Sequence, residues 1–154
     1  MTIGTNDGIW KFGTADAADD TATQAVSDTA YSNDPATWTN DDDAPYASFV
    51  LKFQYPSGTI DTGGILLFAR LLNTNSTTDE PVPSANWQNH YLGAFPTGTG
   101  MSATTDYAVA LGPVKLPTTK SSQEYEFYFK NDCNVTVSAG WALTVHPMAI
   151  GPHA

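Results

Sequence analysis

Two groups of oxygen-bearing side chains are the first candidates for chemistry, because carboxylate and amide oxygens are the ligands that calcium prefers. Asp41, Asp42 and Asp43 are consecutive, and the second group lies in one polar stretch: Asn73, Asn75, Asp79 and Glu80. Neither group has the spacing of a calcium-binding loop, which needs a glycine at its turn and a terminal bidentate glutamate. We interpret both groups as solvated polar segments and expect no metal site.

The histidines and the cysteine are the next candidates. His90, His146 and His153 are scattered, and none has a second histidine or a carboxylate at metal-binding spacing. Cys133 is the single cysteine, so an intrachain disulfide is excluded, and acidic residues near it in the sequence oppose formation of a thiolate. The sequence therefore predicts no metal, no cofactor and no cysteine nucleophile.

Glu124 and Glu126 are two residues apart, which on one face of a strand is a separation of roughly 6.5 to 7 Å. That spacing suits the paired carboxylates of a glycosidase, but the solvated face of an amphipathic strand explains it better. Phosphate-binding glycine loops, a nucleophile elbow and a zinc-protease motif are all missing from the sequence. We therefore expect no catalytic residues and a protein that is not an enzyme.

The aromatic residues allow two interpretations. Trp38 and Trp87 lie in predicted loops, where exposed rings would stack on sugars, whereas Trp141 is in phase with a core stripe. Trp10 forms a small apolar group with Ile9 and Phe12 in a polar surrounding, as expected for residues that dock onto a partner.

Composition narrows the fold and the partners. The chain has 154 residues, 21 of them threonine, with 14% charged residues and a formal charge of −10. One β-rich domain fits this length and composition, and a helical bundle does not. The negative charge disfavours nucleic acid, and no apolar run approaches the ~20 residues that span a bilayer. With no leader pattern at Met1 to Gly13, we expect a protein made in the cytoplasm without a membrane role.

Charge and pattern divide the chain near residue 44. Residues 1–43 hold nine aspartates and one base, Lys11, and therefore carry −8 of the −10. Little apolar periodicity accompanies this charge, so we expect residues 1–44 to be an acidic N-terminal arm or long loop. Its ordering would need a partner or a neighbouring subunit, unless it packs on its own domain. Residues 45–154 are expected to form the folded domain.

Alternating apolar residues from Pro45 onward predict antiparallel strands. Phe49, Leu51 and Phe53 share one strand face, whereas Ile65 to Leu72 is apolar on both faces and indicates a central strand or a subunit contact. Gln123 to His146 is expected to form a long hairpin with a bend at Gly140. The predicted fold is an all-β antiparallel sandwich, with jelly-roll topology ahead of an immunoglobulin-like one, extended by the acidic arm.

The layout resembles small jelly-roll decoration, or cement, proteins of tailed-phage capsids. The resemblance rests on Gly64 to Leu72, on Gln123 to His146 and on the ending Met148 to Pro152. It implies a non-enzymatic virion protein, commonly a homotrimer, that binds the major capsid protein on the capsid exterior and stabilises the shell. Ile9, Trp10 and Phe12 are then the expected docking residues. A carbohydrate- or receptor-binding module of a fibre or lectin-like protein is the alternative.

Overall fold

The computed structural model describes residues 8–19, 23–33, 35–60 and 63–152. In these ranges the chain forms β-strands and no helix, so the predicted all-β class is confirmed. The strands are β1 (Gly8–Phe12), β2 (Asp16–Asp19), β3 (Trp38–Thr39), β4 (Tyr46–Phe53), β5 (Gly64–Leu72), β6 (His90–Phe95), β7 (Tyr107–Lys115), β8 (Glu124–Asp132) and β9 (Ala142–Pro152).

The strands form two antiparallel sheets that pack as a sandwich, as predicted. The five-stranded sheet has the order β1-β9-β4-β7, and β2 also pairs with β9. The four-stranded sheet has the order β3-β8-β5-β6. Strand β7, which contains Pro113, lies at an edge, where a proline removes no ladder hydrogen bond that a neighbour needs. Jelly-roll connectivity stays a prediction.

The core lies between the sheets because every second residue of each long strand points inward. In β4 these residues are Phe49, Leu51 and Phe53, and all are buried. In β8, Phe127 and Phe129 face them, and the rings of Phe49 and Phe127 meet edge to face with centroids 4.8 Å apart. This aromatic contact joins the two sheets.

The sequence of β5 is apolar on both faces because both faces of this strand are covered. Its inward residues join the core, while Phe68 and Leu72 point to the outer face and are still buried, with exposed fractions of 2% and 8%. Tyr31 and Tyr91 pack on Phe68, with ring centroids 5.7 and 5.6 Å away. The apolar outer face of β5 is therefore largely covered within one chain and does not by itself require a second subunit.

The predicted hairpin from Gln123 to His146 is wrong. Strand β8 pairs with β3 and β5, and β9 pairs with β1, β2 and β4, so the two strands lie in different sheets. The segment between them crosses the sandwich and is held by Asn131, whose buried amide nitrogen donates to the carbonyls of Val26 (2.9 Å) and Val135 (2.6 Å). Gly140 has a φ of +90°, which suits the bend that was expected there.

The described part of residues 1–44 lies against the sandwich. Strands β1 and β2 run along β9, and β3 runs along β8. Between them, the amides of Thr29 and Ser32 donate to the carbonyls of Asn131 and Phe129, both at 2.7 Å. Hydrogen bonds to the sheet edges thus supply the order that the polar composition of this segment lacks. In its described part, this segment consists of three strands that join the two sheets and of loops that pack on them, and the boundary at residue 44 stays a prediction.

Candidate functional site

Two of the three predicted docking residues lie side by side on the outer face of the five-stranded sheet. In the register of β1 with β9, Trp10 is opposite Ile150 and Phe12 is opposite Met148. Exposed fractions are 41% for Trp10, 66% for Phe12 and 55% for Ile150. We call these three residues the β1 patch.

The β1 patch rests on a packed base. The ring of Trp10 meets that of Tyr46 edge to face with centroids 5.2 Å apart. Met148 is opposite both Phe12 and Tyr46 in the ladder and is only 3% exposed, although it points away from the core. The aromatic rings are therefore held by their neighbours before any partner arrives. The third predicted residue, Ile9, pairs with Gly151 through the backbone, and its side chain lies outside what the structure describes.

A shallow cleft of about 210 Å³ borders Phe12. Its walls include Asp42, Lys11 and Pro147. The amide of Gly13 donates to the carbonyl of Pro147 (2.8 Å), and a Cβ atom at Gly13 would lie 2.7 Å from Cγ of Pro147, so only glycine permits this approach. Exposed apolar rings and a carboxylate thus lie next to each other at this edge of the sheet.

The tryptophans that were candidates for sugar stacking differ in how far they are exposed. Trp38 is buried, with 5% exposure, and its ring packs on Tyr125 and Phe127 with centroids 5.6 and 5.8 Å away. The interpretation of Trp38 as a loop platform is therefore wrong. Trp87 is 48% exposed in a turn that it closes with Ser84. Trp141 is buried in the core, as its phase indicated.

The acidic candidates are used inside the fold. Glu126 accepts hydrogen bonds from Arg70 and Tyr128, and Glu124 accepts one from Asn73. Burial would raise the pKa of Glu80, but hydrogen bonds from the amide of Leu71 and the ring of His90 outweigh it and lower that pKa. Glu124 and Glu126 of β8 therefore form hydrogen bonds within the protein and do not lie free on a solvated strand face.

The two acidic groups that were considered as calcium ligands also form hydrogen bonds with neighbouring parts of the chain. Asp79 accepts from the amide of Asn73 (2.8 Å), and Asn75 caps its own turn by accepting from the amide of Thr78 (3.0 Å). Asp43 accepts from Ser121 Oγ and from the amide of Ser122, which lowers its pKa. Within the described residues, no three His, Cys, Asp or Glu side chains come together as a metal site would require.

The remaining nucleophile candidate, Cys133, is fully buried. Burial raises the pKa of its thiol, and its sulfur lies 3.9 Å from Thr97 Oγ1, a hydrogen-bonding partner. Of the histidines, His90 pairs with Glu80 at 2.9 Å, whereas His153 lies outside the described residues. The surroundings of Cys133 and His90 therefore give no support for a catalytic role of these two side chains.

Sequence reasoning missed two sets of residues. Ile150 completes the β1 patch only through the register of β1 with β9, which no local pattern reveals. Arg70 lies at the centre of a polar cluster on the outer face of the other sheet, and the available signal was that it is the single charged residue in the apolar run from Ile65 to Leu72.

In the part of the chain that the structure describes, no helix is long and apolar enough to cross a membrane. Comparison of the chain with protein-family models, with curated proteins and with solved structures finds no match.

Proposed function

We propose that this protein is a non-enzymatic structural protein that binds the outside of a phage capsid and stabilises it, docking through the β1 patch. The observation that carries this proposal is the contiguous exposure of Trp10, Phe12 and Ile150 at one edge of a sheet. Exposed aromatic residues on a rigid base are the usual energetic centre of a protein interface.

The location of the patch supports docking of a large partner. Strand β1 is the outermost strand beside β9 in its sheet, so an approaching surface meets the rings and the strand edge together. Truncating a buried interface tryptophan commonly costs about 2 kcal/mol or more, which is roughly a 30-fold loss of affinity. Trp10 and Phe12 therefore suffice to make binding depend on this edge.

The negative charge of this protein supports a partner whose surface is basic. Asp42 lines the cleft beside Phe12, and residues 1–43 carry −8 of the net charge of −10. Such a charge speeds association with a positive surface and repels phosphate backbones. We therefore expect the acidic residues to guide the protein towards the outer surface of the shell, with its DNA on the far side.

The choice of a capsid as the partner rests on the resemblance in layout to decoration proteins, which is carried by Gly64 to Leu72 and Met148 to Pro152, since Gln123 to His146 forms no hairpin. It implies binding to the major capsid protein, a place on the virion exterior, and a homotrimer as the bound form. Because the outer face of β5 is largely covered within the chain, the subunit contact of such a trimer is expected elsewhere.

Co-sedimentation with capsids tests this proposal. The partner is a shell of the major capsid protein encoded in the same genome, prepared without this protein. We expect the wild-type chain to sediment with the shell, Trp10→Ala to bind about 30-fold more weakly, and raised salt to slow association. Trp87→Ala is the matched control, since Trp87 is similarly exposed but lies between β5 and β6 of the other sheet.

Two results would overturn the proposal. Failure of the wild-type chain to sediment with the shell removes the capsid as partner. Equal binding by wild type and Trp10→Ala, with weaker binding by Trp87→Ala, moves the docking surface to the other sheet.

A further inference from the structure

A second surface feature lies on the opposite side of the sandwich. The outer face of the four-stranded sheet carries a cleft of about 390 Å³, within the size range of small-ligand pockets. Its lining includes Ser32, Pro35, Arg70, Val82, Glu126 and Tyr128. Because the β1 patch lies on the outer face of the five-stranded sheet, a molecule in this cleft would not compete with a partner there.

The floor of the cleft is a fixed pair of opposite charges. Arg70 and Glu126 are directly opposite in the ladder of β5 with β8, and Arg70 Nη1 lies 2.6 Å from Glu126 Oε2. Tyr128 also donates to that oxygen (2.8 Å), and Arg70 Nε donates to the carbonyl of Glu80 (2.5 Å). With 15% and 16% of their side chains exposed, both residues are anchored and still reachable.

These contacts leave hydrogen-bonding capacity at the floor. Both described hydrogen bonds of Glu126 end on Oε2, so Oε1 remains an acceptor for a ligand. Arg70 Nη2 forms an ion pair with Asp79 at 3.8 Å, longer than a hydrogen bond, and keeps donors for a ligand. The hydroxyl of Ser32 accepts from the amide of Phe129 (3.0 Å) and can still donate. A floor that offers both a donor and an acceptor suits the hydroxyl groups of one ligand.

The walls of the cleft are apolar. Val82 is 53% exposed, and Pro35 lies on the same cleft. Tyr128 lines the cleft but is only 4% exposed, so the apolar contact surface is supplied by Val82 and Pro35. Apolar walls over a polar floor suit a ring with carbon–hydrogen faces and hydroxyl edges, which is the construction of a sugar.

Charge excludes an acidic ligand. Glu126 neutralises Arg70, and the carboxylates of Asp79 and Glu80 lie on the same side of the sheet, where both contact residues of β5. An anionic sugar would meet net negative charge here, and a neutral one would not.

We infer that this cleft binds a neutral sugar unit of a glycan. Val82 and Pro35 contact a face of the sugar, and Glu126 and Arg70 bind its hydroxyl groups. This inference does not rest on the capsid proposal, since it concerns the other sheet and other residues.

Saturation-transfer NMR with methyl glycosides tests the inference. The probes are the methyl glycosides of glucose, mannose, galactose and N-acetylglucosamine at millimolar concentration, with sialic acid as the anionic comparison. We expect transfer to at least one neutral glycoside and none to sialic acid. Glu126→Gln is expected to weaken binding about tenfold, because it removes a charged acceptor.

Matched variants separate this site from general effects. Glu124→Gln changes the same residue type two positions away on the same strand face, outside the cleft, and is expected to bind as wild type does. Val82→Trp fills the cleft at an exposed position, so the fold is retained and binding is lost. Trp10→Ala is expected to leave sugar binding unchanged.

Three outcomes would refute the inference. They are no transfer to any neutral glycoside, a preference for sialic acid, or undiminished binding by Val82→Trp. None of them bears on capsid co-sedimentation, so the two proposals fail separately.

Discussion

The indole Nε1 of Trp38 donates to Oδ2 of Asp16 over 3.1 Å, and this bond joins the two sheets. Trp38 belongs to β3 of the four-stranded sheet, whereas Asp16 belongs to β2, which pairs with β9 of the other sheet. Both residues come from the polar segment before residue 45. A segment with little apolar surface is thus fastened across the sandwich by a charge-assisted hydrogen bond.

Asp16→Ala is expected to lower the free energy of unfolding by about 1 to 3 kcal/mol, because it leaves the indole N–H of a buried tryptophan without its acceptor. Urea denaturation at neutral pH measures this. Asp41→Ala is the control, since Asp41 is exposed and lies after β3, in the connection to β4. Equal stability of the two variants would show that the bond contributes nothing.

Alanine variants of Phe127 and Phe12 are expected to show that the first ring contributes to stability and the second to docking. Phe127→Ala removes a ring that is fully buried between the sheets and should cost about 3 to 5 kcal/mol. Phe12→Ala removes a ring that is 66% exposed and should cost less than about 1 kcal/mol while weakening capsid binding. Denaturation midpoints of the two variants decide this. A large loss of stability in Phe12→Ala would make Phe12 a structural residue.

Asp43 is expected to contribute to the acid sensitivity of the fold. Hydrogen bonds from Ser121 Oγ and the Ser122 amide hold its pKa below the ordinary 3.8. A group with a lowered pKa stabilises the folded state above its unfolded pKa, and this contribution is lost as the pH falls through the folded value.

The stability difference between wild type and Asp43→Asn should therefore be largest at neutral pH and shrink below about pH 4. Asparagine tolerates the φ of +50° at this position, so backbone strain is not introduced. Asp42→Asn, at the exposed neighbouring residue, is the control in urea denaturation at both pH values. A difference that is constant with pH would contradict the expectation.

Cys133 is expected to be unreactive in the folded protein. Its sulfur is buried and its pKa is raised by that burial, so both access and thiolate formation are suppressed. Ellman's reagent at mildly alkaline pH should modify the thiol about 100-fold more slowly than in urea. Ser57→Cys in a Cys133→Ala background places a thiol at an exposed turn and should react at once. Rapid reaction of native Cys133 would contradict the buried position.

A homotrimer remains our prediction, because a small sandwich without disulfides gains stability by burying apolar surface between subunits. Sedimentation equilibrium should then give three times the chain mass of 16.4 kDa. Trp10→Ala is expected to remain trimeric if the β1 patch contacts the capsid. A monomeric wild type at micromolar concentration contradicts the prediction unless the trimer forms only on the capsid, and loss of the trimer in Trp10→Ala assigns the patch to the subunit contact.

Local sequence patterns predicted the strands whose burial can be recognised without knowing which strands pair with them. The alternation in β4 and the two-sided apolarity of β5 identified buried strands, because side-chain direction alternates whatever the neighbour is. The hairpin predicted between β8 and β9 was wrong because a local pattern does not show which strands pair. Two consecutive alternating runs look alike whether they pair with each other or with distant strands, and only Gly140 indicated a bend at a crossing.

The same distinction applies to the candidate sites. Trp10 and Phe12 were found because aromatic residues contrast with a polar surrounding, whereas Ile150 joins them through long-range register. Trp38 was misplaced because a single aromatic residue in a polar stretch has no periodicity to show which side it faces. The cleft at Arg70 required the side-chain geometry of two strands and two loops.

The pairing of β9 with β1, β2 and β4 also has a consequence for synthesis on the ribosome. Strands β1 and β2 pair with β9 alone among the described strands, so they have no ladder to join until β9 has been made. During translation at about 5 to 20 residues per second, the exposed edge of β4 and the rings of β1 stay unpaired for several seconds. Such long-range pairing makes folding slow. Nascent chains stalled before β9 should therefore be protease-sensitive and recruit chaperones, and release of β9 should end both.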